Sequence, residues 1–354
     1  MVLSRFMVQW SFSHFPFLST MNRRNVLKTL ALGAAGLTAT TSANAQESSQ
    51  RRGLFRRQTT PQATSTAART PALRPLRLGF ADIHFSDADP EAWAQHAVDR
   101  KLRAVNAPWN IGDGDRIRAI VAAVERRDLV IAEVGRWVNM LADDPAQRAE
   151  NLQTITDGLA AADELNARCC VCTAGSFSDP VWGGRSPRNV SREYFDYAVE
   201  NARKIIDAVK PTRTKFTFEP VPWLLPNTAE QYLELIRAID RPEFAVHLDV
   251  PNMTNTPEKI WNNTALINEI FDKLGPWVVG AHFKDLRWVP GRNVYFEQFV
   301  CGEGTIDFAT YLTRMAQLPF EAPLIVEHMA NADEYNRCRD HLFQVADGIG
   351  VSFG

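Results

Sequence analysis

From residue 76 to the end of the chain, short apolar segments of strand type alternate with longer segments of helical period. In the longer segments the apolar residues recur every three to four positions, which is typical of a helix with one buried face. Such alternation indicates repeated β-strand–α-helix units. The predicted strands span residues 76–84, 104–108, 129–135, 169–174, 215–219, 244–249, 278–283 and 323–327. The predicted helices lie near residues 89–101, 115–127, 146–166, 191–209, 228–239, 257–274, 306–316 and 332–347.

Eight strand–helix units in this order predict a single (β/α)8 TIM barrel over residues 76–354, an α/β fold. Two helices carry start signals, since Thr256 precedes Pro257 and Asn331 forms a capping-box pattern with Glu334. The alternative is an open doubly wound sheet, which usually has a glycine-rich phosphate turn after its first strand. Here the first predicted strand runs into the sequence DIHF at residues 82–85, so the barrel is favoured.

The segment before the barrel has the pattern of an export signal. Residues 1–20 show no structural pattern, and we expect them to be a mis-assigned leader ahead of a true start at Met21. Residues 21–45 combine a charged head, a modest apolar run and the small-residue exit ANA. The pair Arg23-Arg24 makes this signal peptide resemble a twin-arginine signal, which implies the twin-arginine export machinery as a partner and a periplasmic location. An amphipathic N-terminal helix is the alternative.

A linker is expected between this signal and the barrel. Residues 46–75 are rich in Thr, Ala, Ser, Gln, Arg and Pro and show no apolar period. Such a segment buries too little apolar surface to offset its chain entropy, so we predict that it is disordered.

Composition excludes several classes of protein. The chain has 39 Lys and Arg against 41 Asp and Glu, a formal net charge of −2, which argues against nucleic acid as the main partner. No stretch approaches the roughly 20 apolar residues that span a bilayer, so no membrane span is expected. The five cysteines are an odd number and three crowd at Cys169, Cys170 and Cys172, which argues against a disulfide scaffold.

Four successive strands each end in a residue that can bind a metal ion. Their sequences are FTFE at 216–219, VHLD at 246–249, VGAH at 279–282 and LIVE at 324–327. Chemistry in a TIM barrel sits at the carboxyl ends of the strands. If these positions face the barrel axis, then Glu219, Asp249, His282 and Glu327 form one ring. A single strand-end carboxylate is often a helix cap or a rim salt bridge, but four in register are harder to explain in that way.

A ring of this composition needs a cation, because three carboxylates without one would repel each other strongly. One divalent ion relieves the repulsion. Three oxygen donors and one imidazole suit Mn²⁺, Mg²⁺ or Co²⁺. Zn²⁺ fits less well, since zinc sites usually contain more nitrogen or sulfur.

These residues and several longer motifs resemble the xylose isomerase-like TIM barrel family, often called sugar phosphate isomerase/epimerase. The resemblance implies that Glu219, Asp249, His282 and Glu327 hold a single divalent metal. It also implies that Glu219 and Glu327 are the catalytic acid/base couple, with one glutamate on each face of the sugar. The motifs are IAEVG at 131–135, FEPVPW at 218–223, HLD at 247–249 with Asn252, HFKD at 282–285, GEGTIDF at 302–308 and EH at 327–328.

The expected activity is that of a metal-dependent sugar isomerase or epimerase. A metal chelated by a carbonyl and a neighbouring hydroxyl acidifies the C–H bond between them and stabilises the enediolate formed on deprotonation. A carboxylate on either side of the sugar can then remove a proton and return one. The same chemistry serves a lyase or dehydratase on a keto-sugar or an inosose when a β-hydroxyl leaves.

Six further residues are candidates for binding the small-molecule sugar substrate. Lys284 could instead pair with Asp285 or Glu303, and the histidine and tryptophan side chains could simply pack. Glu133 is expected to contact the sugar or support the ring, with a salt bridge to Arg136 as its alternative. His247 is expected one layer below the metal as a core histidine. The six candidates are His84, Glu133, Trp137, Trp223, Asn252 and Lys284.

The sequence departs from the ketose 3-epimerases of this family in two places. Those enzymes carry a histidine three residues after the metal aspartate, where this chain has Asn252. They carry an arginine six residues after the metal histidine, where this chain has Trp288, with Arg287 one position earlier. The substrate pocket is therefore expected to differ, and export favours a sugar without phosphate.

Two other function classes compete. Endonuclease relatives of the barrel need a trinuclear zinc cluster, for which the seven histidines of this chain are too few. A non-catalytic carbohydrate-binding barrel would bind sugar without metal and would tolerate neutral substitutions at Glu219 and Glu327. The sequence does not identify the sugar or the native metal, and it leaves open whether the chain forms a homo-oligomer.

Overall fold

Eight parallel strands form a nearly closed barrel in this computed structural model, which describes residues 73–81 and 89–354. Around the barrel the strands follow the order β1-β10-β7-β6-β5-β4-β3-β2. The remaining two strands, β8 and β9, form a separate antiparallel hairpin. The strands are β1 Leu78–Phe80, β2 Ala104–Asn106, β3 Val130–Gly135, β4 Cys169–Cys172, β5 Lys215–Phe218, β6 Phe244–Asp249, β7 Val278–Phe283, β8 Asp285–Trp288, β9 Phe296–Phe299 and β10 Leu324–Val326.

Helices connect the barrel strands and cover them on the outside. Two short 3-10 helices, Pro187–Val190 and Gly275–Trp277, precede the fourth α-helix and the seventh strand. Because strands and helices alternate around eight parallel strands, the prediction of a TIM barrel is confirmed. The α-helices are α1 Pro90–Asp99, α2 Gly114–Glu125, α3 Pro145–Glu164, α4 Arg192–Val209, α5 Ala229–Ile239, α6 Val250–Met253, α7 Pro257–Trp261, α8 Asn263–Leu274, α9 Phe308–Ala316 and α10 Ala332–Gly348.

The predicted helix starts are present, but one predicted helix is broken. The Thr256 side chain accepts a hydrogen bond from the Lys259 N–H, and the Asn331 side chain accepts one from the Glu334 N–H at 3.0 Å. The single helix expected over residues 257–274 is instead α7 and α8, which meet at Asn262. The backbone leaves helical geometry there, with φ −116° and ψ 33°.

Other differences concern the segments that follow strands. The short helix α6 directly after β6 and the β8–β9 hairpin were not predicted. The first strand is Leu78–Phe80, shorter than the predicted 76–84, and residues 82–88 lie outside the described part. The predicted leader, export signal and most of the linker also lie outside the described residues and stay predictions. None of the described helices is long and apolar enough to cross a membrane.

The barrel closes between β1 and β2 through a close backbone approach. The Arg103 N–H donates a hydrogen bond to the Leu78 carbonyl at 2.9 Å. Gly79 permits this contact, because a Cβ at that position would lie 2.5 Å from the Ala104 carbonyl oxygen and 2.6 Å from the Ile325 side chain. Ala104 and Ile325 belong, with Ala132, to a small cluster made only of strand residues, as expected for the barrel interior. The larger core fills the space between strands and helices.

Replacing Gly79 with alanine should destabilise the barrel at this seam. The added Cβ must displace the β2 backbone, and overpacking of this kind costs about 1–3 kcal/mol. Urea unfolding followed by circular dichroism measures the loss. Gly348 is the matched control, since a Cβ there meets nothing within 4 Å. Gly348→Ala near the end of α10 should be neutral or stabilising, and an equal loss in both variants would contradict the account of the seam.

Candidate metal centre

Four side chains at the carboxyl ends of neighbouring strands converge on one point. Glu219 directly follows β5, Asp249 ends β6, His282 lies near the end of β7, and Glu327 directly follows β10. These strands are adjacent in the barrel. One potential ligand atom from each side chain lies within 4.8 Å of the others. All four side chains are buried, with between 0% and 7% of their surface exposed. The structure thus brings together all four residues of the predicted ring.

Two positively charged groups touch these carboxylates. Nδ1 of His282 lies 2.6 Å from Oε1 of Glu219 and 2.9 Å from Oε2 of Glu327. The ammonium of Lys284, which is fully buried, contacts both Asp249 and Glu327. The alternative in which Lys284 pairs with Asp285 or Glu303 is therefore wrong. Lys284 follows the alternation of β7 and enters the same interior cluster as His282.

The pKa values of Glu219 and Glu327 are shifted in opposite directions, because their charged neighbours differ. Burial, with the charges of Glu327 and Asp249, raises the pKa of Glu219 to about 7, although His282 acts in the opposite direction. Burial would raise the pKa of Glu327 as well, but His282 and Lys284 hold it well below its usual value. Burial lowers the pKa of His282, and the surrounding glutamates more than reverse this and raise it well above the ordinary value. The buried carboxylates therefore favour a positively charged group at the point where the four side chains meet.

Glu133 lies beneath this cluster and connects two histidines. Its Oε1 lies 3.1 Å from Nε2 of His282 and its Oε2 lies 2.9 Å from Nε2 of His247. The Asn106 side chain donates to the same Oε1 at 2.9 Å. Burial would raise the pKa of Glu133, but the two histidines lower it to about 2, so the carboxylate stays ionised. The alternative that Glu133 pairs with Arg136 is wrong, because that guanidinium donates to the Gly135 carbonyl.

The remaining predicted substrate residues are placed less directly. The Asn252 side chain donates to the Pro220 carbonyl at 3.0 Å, and its backbone N–H donates to Asp249 at 3.0 Å. Asn252 thus ties the loop after β5 to the start of α6 and orients a carboxylate of the ring. Position 84 lies outside the described residues, so its predicted role stays untested.

Aromatic side chains from three loops lie near the same end of the barrel. The Trp223 indole donates to the Gly183 carbonyl at 2.8 Å, and the Arg185 guanidinium lies 4.5 Å from its ring centre. Trp137 packs against Trp182 with ring centres 5.2 Å apart. Trp182 was not among the predicted site residues, because nothing in its local sequence distinguishes it. Both predicted tryptophans therefore have structural contacts in these loops.

The motif at 302–308 is organised by one buried carboxylate. Asp285 accepts hydrogen bonds from four backbone N–H groups, those of Leu286, Gly302, Gly304 and Ile306, at 2.8–3.0 Å. A Cβ at position 304 would overlap the Asp285 carboxylate, and Gly302 has a positive φ of 93°. These glycines permit the loop to fold tightly around Asp285. The motif thus fixes the segment that follows His282 and Lys284.

Fold and site together define a (β/α)8 barrel with a carboxylate-rich candidate metal centre at the carboxyl ends of its strands. The sequence model of the xylose isomerase-like TIM barrel matches residues 83–344. The chain therefore belongs to that family, as the motifs predicted. Among curated proteins, none has a sequence significantly similar to this chain.

Solved structures share the fold at low sequence identity. A D-psicose 3-epimerase from Clostridium cellulolyticum H10, solved with D-tagatose, is 16% identical with a TM-score of 0.58, covering 78% of this chain and 98% of its own. A xylose isomerase-like TIM barrel protein from Mycobacterium smegmatis in complex with magnesium is 15% identical, with a TM-score of 0.55 and coverage of 78% and 96%. The probable 3-DHS dehydratase involved in petrobactin synthesis from Bacillus anthracis is 13% identical, with a TM-score of 0.55 and coverage of 75% and 97%. At these identities the likeness establishes the fold.

Lys284→Met tests the charge balance of the centre. In metal-free protein we expect a loss of about 3–5 kcal/mol in unfolding free energy, because two buried carboxylates lose their partner. Mn²⁺ should stabilise the variant more than the wild type, since the ion supplies the missing positive charge. Urea unfolding in EDTA and in Mn²⁺ measures both effects. Lys273→Met is the control, because Lys273 pairs with Glu230 and Glu269 on the surface and should have little effect. The same response to Mn²⁺ in variant and wild type would refute this account.

Asp285→Asn should loosen the segment around residues 302–308. The amide has only one acceptor oxygen, so N–H groups that now bond to a carboxylate lose their partners at a cost of about 3 kcal/mol. Thermal unfolding and limited proteolysis of the β9–α9 connection would detect the change. Glu297→Gln, an exposed substitution on β9, should leave both unchanged. Wild-type protease resistance in Asp285→Asn would count against the anchoring role.

Proposed function

We propose that this protein is a divalent-metal-dependent isomerase or epimerase that acts on a sugar or keto-sugar by proton abstraction next to a carbonyl. The observation that carries the proposal is the convergence of Glu219, Asp249, His282 and Glu327 within 4.8 Å. Such a set of buried oxygen donors with one imidazole favours a divalent cation over a structural ion-pair network.

The donor set fits one ion, and its chemistry decides which. Three carboxylates and one imidazole favour Mn²⁺, Mg²⁺ or Co²⁺ over Zn²⁺. The magnesium in the related Mycobacterium smegmatis structure supports this choice. When bound, the ion would polarise the substrate carbonyl and make the neighbouring C–H more acidic. Lys284 already neutralises part of the negative charge through its contacts with Asp249 and Glu327.

The two glutamates suit the proton transfers. Glu219 follows β5 and Glu327 follows β10, the outer strands of the four that supply the centre. A sugar bound between them would present one face to each carboxylate. One glutamate can remove a proton from the substrate carbon, and the other can return a proton from the opposite face. In an epimerase, this transfer inverts the configuration of the carbon. Return of the proton to the neighbouring carbon gives an isomerase instead.

The loops favour a substrate other than a simple ketose. Asn252 is bonded to Pro220, and Trp288 packs on Trp261 with ring centres 5.3 Å apart. Arg287 lies over the Phe299 ring at 3.8 Å. The two positions at which ketose 3-epimerases carry histidine and arginine therefore have scaffold roles in this chain. We infer a keto-sugar or keto-glycoside without phosphate, in line with the proposed periplasmic location.

A lyase or dehydratase is the second candidate, and the structural likeness to the Bacillus anthracis 3-DHS dehydratase favours it. The same proton abstraction expels a hydroxyl on the adjacent carbon when the substrate carries one there. The first step is shared, so Glu219 and Glu327 keep their roles in both candidates. Only the fate of the carbanion differs.

Glu219→Gln and Glu327→Gln should each lower turnover by about 10²–10⁴-fold, because each removes a proton-transfer group. The assay is NMR detection of solvent deuterium incorporated into unphosphorylated ketoses and keto-glycosides in the presence of Mn²⁺. Loss of a hydroxyl in place of exchange would identify the lyase.

Glu303→Gln serves as the control, since Glu303 pairs with Arg337 at the surface and should retain full activity. A wild-type protein that binds sugar without metal and without exchange would contradict the proposal. Retention of sugar binding in both glutamine variants would then favour a carbohydrate-binding barrel.

A further inference from the structure

We propose that Glu133 and His247 are positioning residues that fix the tautomer and ring orientation of the metal ligand His282. The inference rests on the proposed metal centre. Among the described residues, the side-chain hydrogen bonds of Glu133 and His247 reach the four-ligand cluster only at His282. Both lie one layer deeper in the barrel, and together with His282 they form a second buried group of three metal-type side chains.

The two ring nitrogens of His282 face different partners. Nδ1 faces the carboxylates of Glu219 and Glu327, whereas Nε2 faces Oε1 of Glu133 at 3.1 Å. A neutral imidazole carries a single N–H. If Nδ1 offers its lone pair to an ion, the proton must be on Nε2. An ionised carboxylate only accepts, so Glu133 selects that tautomer and holds the plane of the ring.

The Glu133 carboxylate is itself held by neighbouring side chains. Its two oxygens receive donors from both sides, since Asn106 donates to Oε1 and Nε2 of His247 lies 2.9 Å from Oε2. The His247 ring also packs edge-on against the His282 ring, with centres 4.3 Å apart. Donation from Nε2 leaves Nδ1 of His247 as an acceptor, and this buried atom has no hydrogen-bond partner in the described part of the chain.

A bulge in β3 explains how Glu133 reaches the interior histidines. Ile131 pairs with Val105 and Glu133 pairs with Asn106, so Ala132 is an extra residue in the ladder. In a regular strand Ala132 and Glu133 would point to opposite faces. Here Ala132 belongs to the interior cluster and Glu133 also reaches the interior histidines. Bulges commonly re-aim a side chain at a functional site, and this one directs Glu133 beneath His282.

Glu133→Gln is the test, because glutamine keeps the size but its amide can donate to His282. Mn²⁺ affinity, measured from free Mn²⁺ by electron paramagnetic resonance, should fall by about 10–100-fold. In protein loaded with diamagnetic Mg²⁺, ¹H–¹⁵N NMR should show the proton of His282 on Nε2, and the signal of this N–H should move in the variant because the carboxylate that accepts it is lost. His247→Gln should change both readouts in the same direction but less.

Glu321→Gln is the matched control at the opposite end of the barrel. Glu321 accepts from Arg77 at 2.8 Å and from Arg168 at 2.5 Å, so its loss should reduce stability. Mn²⁺ affinity and the His282 Nε2–H signal should stay at wild-type values. This comparison separates a positioning role from general destabilisation.

Wild-type Mn²⁺ affinity and an unchanged His282 Nε2–H signal in Glu133→Gln would overturn the inference while leaving the proposed function intact. A second equivalent of Mn²⁺ that disappears in His247→Gln would also overturn it, because Glu133 and His247 would then be ligands. If the wild type bound no Mn²⁺ at all, the inference and the proposed function would fall together. His247→Gln gives the same decision if Glu133→Gln does not fold.

Discussion

Burial of like charges at the mouth of the barrel is the constraint on which the rest of the site depends. Glu219, Asp249 and Glu327 are brought together in a low-dielectric environment, where each carboxylate raises the cost of ionising the others. His282 and Lys284 offset part of this cost and give the cluster a defined hydrogen-bond geometry. Because the backbone fixes the carboxylates, the charge balance can change only through protons, the lysine or an added cation.

The barrel explains why these groups meet. Parallel neighbouring strands deliver their last inward-facing residues to the same rim, so four adjacent strands give a ring without any contribution from loops. The deeper layer depends on irregularity, since the bulge at Ala132 directs Glu133 inward. Gly79 performs a complementary task beside the interior cluster that contains Ala132, where the absence of a side chain lets β1 and β2 approach. The ends of the strands therefore position the ligands, whereas the β3 bulge and Gly79 position the groups that support them.

The four ring residues and the barrel could be predicted because both follow from short periodic patterns. Strand-end residues keep their face as long as the alternation is regular, and it is regular at Glu219, Asp249, His282 and Glu327. The partners of Lys284 and Glu133 could not be predicted, because they depend on contacts across the barrel between residues far apart in sequence. The break of the long helix at Asn262 and the β8–β9 hairpin were missed for a related reason. Both depend on packing against neighbouring loops, which leaves no periodic signal.

Fold and substrate choice are determined by different parts of the chain. The centre uses strand-end residues and could serve any substrate that places a carbonyl and a hydroxyl beside the ion. Specificity must come from loops, and here Asn252 and Trp288 are committed to contacts within the protein. A loop residue that is bonded to the scaffold cannot turn toward a substrate without losing those contacts. Under the proposed function, recognition falls to groups that stay exposed while they are bonded to the scaffold, as Trp223 does at the rim with 36% of its surface accessible.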